Sequence, residues 1–415
     1  MRSIIISALV PLVFGFDIIE EFLKQTINRT ADPCHDFYRH VCPLGTPEGL
    51  FEKLIFQNLE NERTPGVWDE FEIITDFDHD GEETEFIQDV PLVAEKIFHL
   101  DQDLEDGIAE LNTMTEEAKE VVAEWILETP WANKNNVTDL TSEALHETSL
   151  NMKYAEIMRD SLDFLTKAEF EYRNCKQEYG NDESANSFCF FYTMDPNFTP
   201  LTSDDLNFFI NLNAFNGFPE LSFGFPAYYT AKHSEEYAGK AGFLGSLVGH
   251  ELSHTLIKSR NDDVLPYFSE DSVKCIQNQY MESCSMFKEI SCAVDDIQID
   301  ENGADILGVQ IMYQLLENYY GLMLKETYGP LNVTYQQLFF YAQVIGDCSG
   351  SQQSSPMNED NTLNEHSAGN IRANALVNHP AFQEAFKCKE DSKMMRSATE
   401  QCVIYGKNAP ENKRH

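Results

Sequence analysis

Basic residues are scarce in this 415-residue chain. Twenty-nine Lys and Arg stand against 70 Asp and Glu, a formal charge of −41. Such a surface repels phosphate backbones and anionic lipid, which argues against nucleic-acid binding and against adhesion to a charged membrane. Residues 51–150 alone carry 27 acidic and 5 basic residues, and a stretch of that kind reads as a solvated, self-repelling face. Long apolar runs are missing too: beyond the first 16 residues, nothing approaches the roughly 20 apolar residues of a membrane-spanning helix. No C-x-x-C pair occurs among the ten cysteines, which argues against a cysteine zinc knuckle or a thioredoxin-like redox centre. Internal repeats and low-complexity tracts are absent as well.

The chain does hold enough to build a core: 42% hydrophobic residues, with 29 Phe and 17 Tyr spread along its length, which excludes global disorder. By length it divides into two or three domains. Met1-Arg2-Ser3 precedes an apolar run from Ile4 to Phe16, broken by Pro11 and with the small Gly15 near its end. That pattern reads as a secretory signal over residues 1–15, with an uncleaved N-terminal anchor as the alternative. An even number of cysteines agrees with an oxidising compartment. Sequons at Asn28, Asn136, Asn197 and Asn332 permit glycosylation. The expectation is a secreted, disulfide-bonded protein.

Hydrophobic spacing from Ile108 through Leu111, Met114, Ala118, Val121, Val122 and Trp125 predicts an amphipathic helix. Another helix is expected over 141–172. Leu206–Phe215 and Leu221–Tyr229 alternate like strands, with Asn216-Gly217 as the turn between them. Gly242–Ile257 and Asp300–Leu324 read as helices, and the C-terminal part is helical. A domain boundary is placed near residue 190. Asp76-Phe77-Asp78-His79-Asp80-Gly81 begins like a calcium loop, but its twelfth position is Ile87, where a bidentate Glu is required. It reads as a solvated acidic loop.

The strongest chemical signal is Gly249-His250-Glu251-Leu252-Ser253-His254. On a helix, residues four apart share a face, so His250 and His254 can both direct a ring nitrogen at one metal ion. Glu251 lies beside them, able to take a proton from a water held there. A catalytic zinc wants a third protein ligand and an open position. Glu301, in the first turn of the helix from Asp300, supplies that ligand, and Asp305, one turn on, is placed to hydrogen-bond a ligand histidine. Acidic residues at a helix start also serve the helix dipole, a blander account of Glu301 alone. Further on, His366 and Arg372 flank Ser367-Ala368-Gly369-Asn370-Ile371, a polar segment able to donate to an oxyanion.

Together these residues resemble the neprilysin and endothelin-converting-enzyme family of zinc metallopeptidases. The resemblance is carried by His250-Glu251-x-x-His254, then Glu301-Asn302-Gly303-Ala304-Asp305, and the six-residue separation of His366 and Arg372. Leu212-Asn213-Ala214-Phe215 is similar to the family's substrate-binding edge strand, Phe225-Pro226-Ala227 to its next strand, and Pro33-Cys34-His35-Asp36-Phe37-Tyr38 to its N-terminal signature. It implies one zinc ion on His250, His254 and Glu301, with Glu251 activating the water and Asp305 as orienter or proton donor. It also implies that Asn213 and Ala214 bind the substrate backbone and that His366 and Arg372 stabilise the intermediate. Cys34–Cys388, Cys42–Cys348 and Cys275–Cys402 are the implied disulfides, leaving Cys175–Cys189 and Cys284–Cys292 as local pairs.

The implied fold is mainly α with a small sheet (α+β), in two lobes. A reduced N-terminal helical domain would span 16–190, with 30–60 packing on the catalytic lobe. A gluzincin-like catalytic domain would span 191–405, and a polar tail 406–415. The implied activity is that of a secreted zinc endopeptidase cutting peptides on the amino side of hydrophobic residues. The chain departs from the family at Ile257, where an Asp orients a zinc histidine, at Asn364, also an Asp in the family, and at its C-terminal end. It is also shorter than a typical member, mainly in the domain that roofs the active site. Those departures motivate an alternative, a catalytically inactive relative that binds peptides or a protein partner.

Overall fold

Two helices packed backbone to backbone form the centre of the molecule. The computed structural model describes residues 17–47, 49–62, 101–132, 137–151, 174–175, 177–179, 212–257, 269–288, 298–348 and 365–410. In chain order the described helices are α1 (Ile18–Thr26), α2 (Phe37–Val41), α3 (Leu50–Glu62), α4 (Asp101–Glu128), α5 (Val137–Glu147), α6 (Phe225–His233), α7 (Tyr237–Ile257), α8 (Glu270–Phe287), α9 (Ile299–Tyr320), α10 (Tyr335–Gln343), α11 (Ile345–Cys348), α12 (Gly369–Ala375), α13 (Pro380–Phe386) and α14 (Lys393–Ser397). Three short strands, β1 (Ser149–Leu150), β2 (Ala214–Asn216) and β3 (Glu220–Phe223), make one sheet; β4 (Thr327–Tyr328) and β5 (Val333–Thr334) make a hairpin. The mainly helical class with small sheets is as expected. No helix among the described residues is long and apolar enough to cross a membrane.

Helix α7 is the axle because its sequence carries no charge from Ala241 to Gly249. Ala241, Phe243, Leu244 and Val248 are fully buried, so the helix is held by packing on several sides rather than along one stripe. Its glycines set how close its neighbours come. A Cβ on Gly249 would lie 2.8 Å from the Gly308 carbonyl oxygen of α9, and one on Gly242 would lie 2.4 Å from the Phe339 carbonyl oxygen of α10. Only glycine permits approach at that distance. Helix α4 meets α6 in the same manner, at Gly107 against the Tyr228 carbonyl.

One hydrophobic core runs from Ile18 to Ala409. The N-terminal segment is fastened onto it by polar contacts. Asp17 caps α1 by accepting from Glu20 N at 3.0 Å, and also accepts from Ser234 Oγ at 3.1 Å and Glu235 N at 3.0 Å. Asn374 Oδ1 accepts from Phe37 N at 2.9 Å and Tyr38 N at 3.1 Å, docking α2 on α12. The disulfides Cys34–Cys388, Cys42–Cys348 and Cys275–Cys402 are formed, matching the three implied pairs. Cys175 and Cys284 are disulfide-bonded as well; Cys189 and Cys292 lie outside the described residues.

The sheet order is β1-β3-β2, with β1 parallel and β2 antiparallel to β3, so β2 is an edge. Asn216 begins the expected turn: its Oδ1 accepts from Phe218 N at 2.8 Å, and Phe218–Pro219 is a cis bond. Two expectations need correction. The strand read over Leu221–Tyr229 stops at Phe223, and Phe225-Pro226-Ala227 opens α6 instead. Pro226 supplies a preset helical φ in the first turn, while burial of seven of the nine residues of α6 hides the helical period among aromatic residues. The helix read over 141–172 ends at Glu147, after which the chain enters β1; residues 152–173 are outside the described set. So are the signal segment, residues 206–211, the Asp76–Ile87 loop and the expected boundary near 190.

Candidate metal centre

Helix α7 stacks His250 and His254 one turn apart, ring centroids 4.8 Å and edge-on. Helix α9 crosses it so that its first turn places Glu301 opposite both. His250 Nε2 lies 3.0 Å from Glu301 Oε2 and 3.1 Å from His254 Nε2, and His254 Nε2 lies 3.3 Å from the same carboxylate oxygen. His366, arriving from the loop before α12, brings its Nε2 to 3.0 Å from Glu301 Oε2. The donor atoms of His250, Glu301 and His366 lie within 4.8 Å of one another. Nitrogen and oxygen ligands at zinc distances stand about 3.3 Å apart in a tetrahedron, so His250, His254 and Glu301, whose donor atoms are 3.0–3.3 Å apart, fit that ion, with His366 beside them.

Asp305 decides which nitrogen of His250 is offered. Its Oδ1 sits 2.9 Å from His250 Nδ1, so the Nδ1 proton is held there and Nε2, on the Glu301 side, is the nitrogen left for a metal. Tyr280 of α8 donates to Asp305 Oδ2 at 2.8 Å, and Arg372 of α12 donates from Nε to Oδ2 at 2.8 Å and from Nη2 to Oδ1 at 2.6 Å. Burial opposes charge on Asp305, but Arg372 and His250 overcome it and hold the carboxyl below its usual range. Burial likewise opposes charge on Glu301, and its contacts with His250, His254 and His366 reverse the balance downward. In the absence of a metal, burial lowers the His250 pKa, yet Asp305 and Glu301 outweigh it and raise the imidazole to about 10.

Glu251 is 6% exposed. Burial pushes its carboxyl up, His250 and His254 pull it down, and Glu301 adds to the rise. It lines a cleft of about 190 Å³ together with His250, His366, Arg372, Asn213 and Ala214. The geometry thus gathers every predicted site residue: His254 and Glu301 through the donor cluster, the others around the cleft or on Asp305.

The residues beside this cluster lie within a stretch of known type: residues 223–402 match the model of peptidase family M13. Over that stretch the chain is similar to peptidase family M13. Over 185 residues it is 26% identical to neprilysin of Pongo abelii, covering 41% of this chain and 24% of that protein. Among solved structures, zinc metalloprotease Zmp1 of Mycobacterium tuberculosis in complex with an inhibitor aligns with TM-score 0.44 and 15% identity, over 72% of this chain and 47% of that one. A Haemonchus galactose-containing glycoprotein complex aligns with TM-score 0.46 and 14% identity, over 92% of this chain and 98% of that one. The chain spans about a quarter of the curated neprilysin it matches.

The part of the cleft furnished by Asn213 and Ala214 lies before the M13-matched residues, and edge strand β2 is fastened to the metal helix by Asn216. Its Nδ2 donates to the Glu251 carbonyl at 2.6 Å and to Thr255 Oγ1 at 2.9 Å. Thr255, in turn, meets Thr148 Oγ1 at 3.3 Å. Ile257 stands where the resemblance implies an orienting Asp; burial pushes the carboxyl of Asp300, beside Glu301, up, and His254 pulls it down. The His366 loop is pinned by Gln298 Nε2, which donates to the His366 carbonyl at 3.2 Å, and by Ser367, which donates to Asn302 Oδ1 at 2.8 Å. Tyr280, Asn216, Gln298, Gln343 and Asp347 are site residues that sequence reasoning missed. No spacing rule connects them to the motif, and only Asn216, read as a turn residue, drew notice at all.

Proposed function

We propose that the protein is a secreted zinc-dependent endopeptidase. The observation that carries this reading is the convergence of His250, His254, Glu301 and His366 nitrogen and oxygen atoms within 3.0–3.3 Å contacts, beside the buried carboxyl of Glu251. His250, His254 and Glu301 would hold the ion, which when bound supplies Lewis-acid polarisation of a carbonyl and acidifies a water.

The chain's own residues do the rest. Glu251, its basicity raised by burial, accepts the proton of the attacking water, as a general base of elevated pKa does best. Asp305 keeps His250 in the ligating tautomer. His366 and Arg372 bring N–H donors to the cleft, where negative charge grows on the substrate oxygen. Strand β2, as a sheet edge, takes the peptide as an added strand, reading main chain before side chain. The disulfides Cys34–Cys388, Cys42–Cys348 and Cys275–Cys402 support an extracellular location, because such bonds persist in oxidising compartments.

A second reading, a binding protein without catalysis, is favoured by one observation: Ile257 in place of an orienting acid for His254. Losing such a partner typically lowers metal affinity or activity about 10–100-fold. Cleavage by the zinc-loaded protein separates the two. The purified protein is expected to hold one zinc per chain, to cut peptides, to stop on chelation and to recover on zinc addition. Full zinc occupancy with no cleavage would establish the binding protein instead.

A further inference from the structure

The cleft has an acidic end that the chemistry above leaves unused. Asp347 sits in α11, where the amides of residues 347 and 348 both donate to the Val344 carbonyl, at 3.0 and 3.2 Å, and Cys348 is bridged to Cys42. Its backbone is therefore fixed, and its side chain, 15% exposed, lines the cleft. Among the described residues its one ionic contact is Arg372 Nη1 at 3.8 Å. That guanidinium already gives Nε and Nη2 to Asp305 at 2.8 and 2.6 Å. Asp305 and Asp347 thus share one arginine, in the cleft that Glu251 also lines.

A second observation points to a ligand at the same place. Gln343, 6% exposed, lines the cleft with its Nε2 buried and without an acceptor. A buried donor left unpaired is costly unless something binds it, and a peptide carbonyl supplies the missing acceptor. Leu247, Val309 and Leu376 give the cleft apolar walls. Apolar walls ending in a carboxylate suit a side chain with a methylene stem and a cationic head. A purely hydrophobic side chain would cover Asp347 and leave it only Arg372, already paired with Asp305, as a counter-charge.

We propose that this end of the cleft is a subsite for a basic substrate side chain, Lys or Arg, with Asp347 as its counter-charge and Gln343 donating to the adjoining peptide carbonyl. The assignment rests on the cleft being the peptide-binding site, and it departs from the hydrophobic preference that the family resemblance implies. Burial pushes the Asp347 carboxyl up to about 7, with Arg372 pulling it down and Asp305 adding to the rise; a cation docked there favours the ionised form.

The test reads binding, so that it does not depend on turnover. Peptide pools with Lys, Arg, Leu, Phe or Glu fixed at one position and mixed residues around it are equilibrated with zinc-loaded Glu251→Gln protein. The retained fraction is measured by mass spectrometry. Lys and Arg pools are expected to be retained about tenfold over Leu and Phe pools, the equivalent of one well-placed charge pair. Adding Asp347→Asn should erase that margin by lowering retention of the Lys and Arg pools, with the Leu pool retained at least as well as before, which also shows that the variant is folded. Equal or better retention of hydrophobic pools, retention of no pool, or a basic preference that survives Asp347→Asn would overturn the proposal. Hydrolysis of the same pools by the unaltered protein is scored separately. Basic pools bound but not cut would remove the peptidase reading and leave the subsite standing; hydrophobic pools bound and cut would do the reverse.

Discussion

Replacing Gly308 by Ala tests whether the contact between α7 and α9 sets the metal geometry. A Cβ at 308 would stand 2.8 Å from both the Gly249 carbonyl carbon and the His250 nitrogen. That is about 0.7 Å inside ordinary contact with atoms that cannot rotate away. The helices must separate or tilt at the very turn that carries His250, while Glu301 is less than two turns away on α9. Overpacking of this kind costs about 3 kcal/mol, against which Ala returns about 1 kcal/mol of helix propensity, so a net loss of about 2 kcal/mol is expected. The local effect is larger: an ion held at fixed ligand spacing, or chemistry at that spacing, loses about a hundredfold for a displacement near 1 Å. Urea unfolding with chelator present reads the first quantity, and competition with a chromophoric chelator reads the second. Gly239→Ala, in the first turn of α7, meets only the Ile19 side chain, with Cγ2 at 3.3 Å, and should be between neutral and about 1 kcal/mol stabilising. If Gly308→Ala matches Gly239→Ala in both assays, the close crossing does not position the ligands.

Three further outcomes are expected. Asp305→Asn frees the His250 tautomer and should weaken zinc binding about 10–100-fold; wild-type affinity in the chelator competition would contradict the role given to Asp305. Tyr280→Phe removes one donor from the Asp305 carboxylate without leaving a cavity and should cost about 1–2 kcal/mol in urea unfolding; no loss would show that bond to be idle. His379 packs against Tyr313 and Phe340, and burial lowers its pKa from 6.5 to about 4. Between those values the unfolded chain takes up a proton that the folded chain refuses. Its contribution to stability is therefore full above pH 6.5 and shrinks by at most about 3 kcal/mol as the pH falls toward 4. His379→Gln should flatten that part of the stability–pH curve, and unchanged curves would exclude His379 as a source.

What was legible in the sequence is the chemistry written at helical spacing. His250, Glu251 and His254 on one helix, and Glu301 and Asp305 on another, announce themselves because each set lies within two turns. Pairing the two helices needed the family resemblance, since the structural reason, Gly249 facing Gly308 with room for no Cβ, is a contact between glycines that carry no pattern. Tyr280 and Asp347 were invisible for a different cause. Each comes from an element with no other charged or hydrogen-bonding side chain on the cleft, so neither local period nor motif singles it out. The misread strand at Phe225 shows where pattern fails on the fold itself: a helix buried on nearly all sides has no polar face to reveal its period, and its aromatic residues imitate a strand.

The most direct test of the central claim is to compare the protein with its Glu251→Gln variant, both assayed for zinc by atomic absorption and for cleavage of a mixed peptide library by mass spectrometry. Gln keeps the shape of the side chain and removes the base, so equal zinc in both and cleavage only by the unaltered protein are expected. Equal cleavage by the variant, or no zinc in either protein, would contradict a Glu251-driven zinc peptidase.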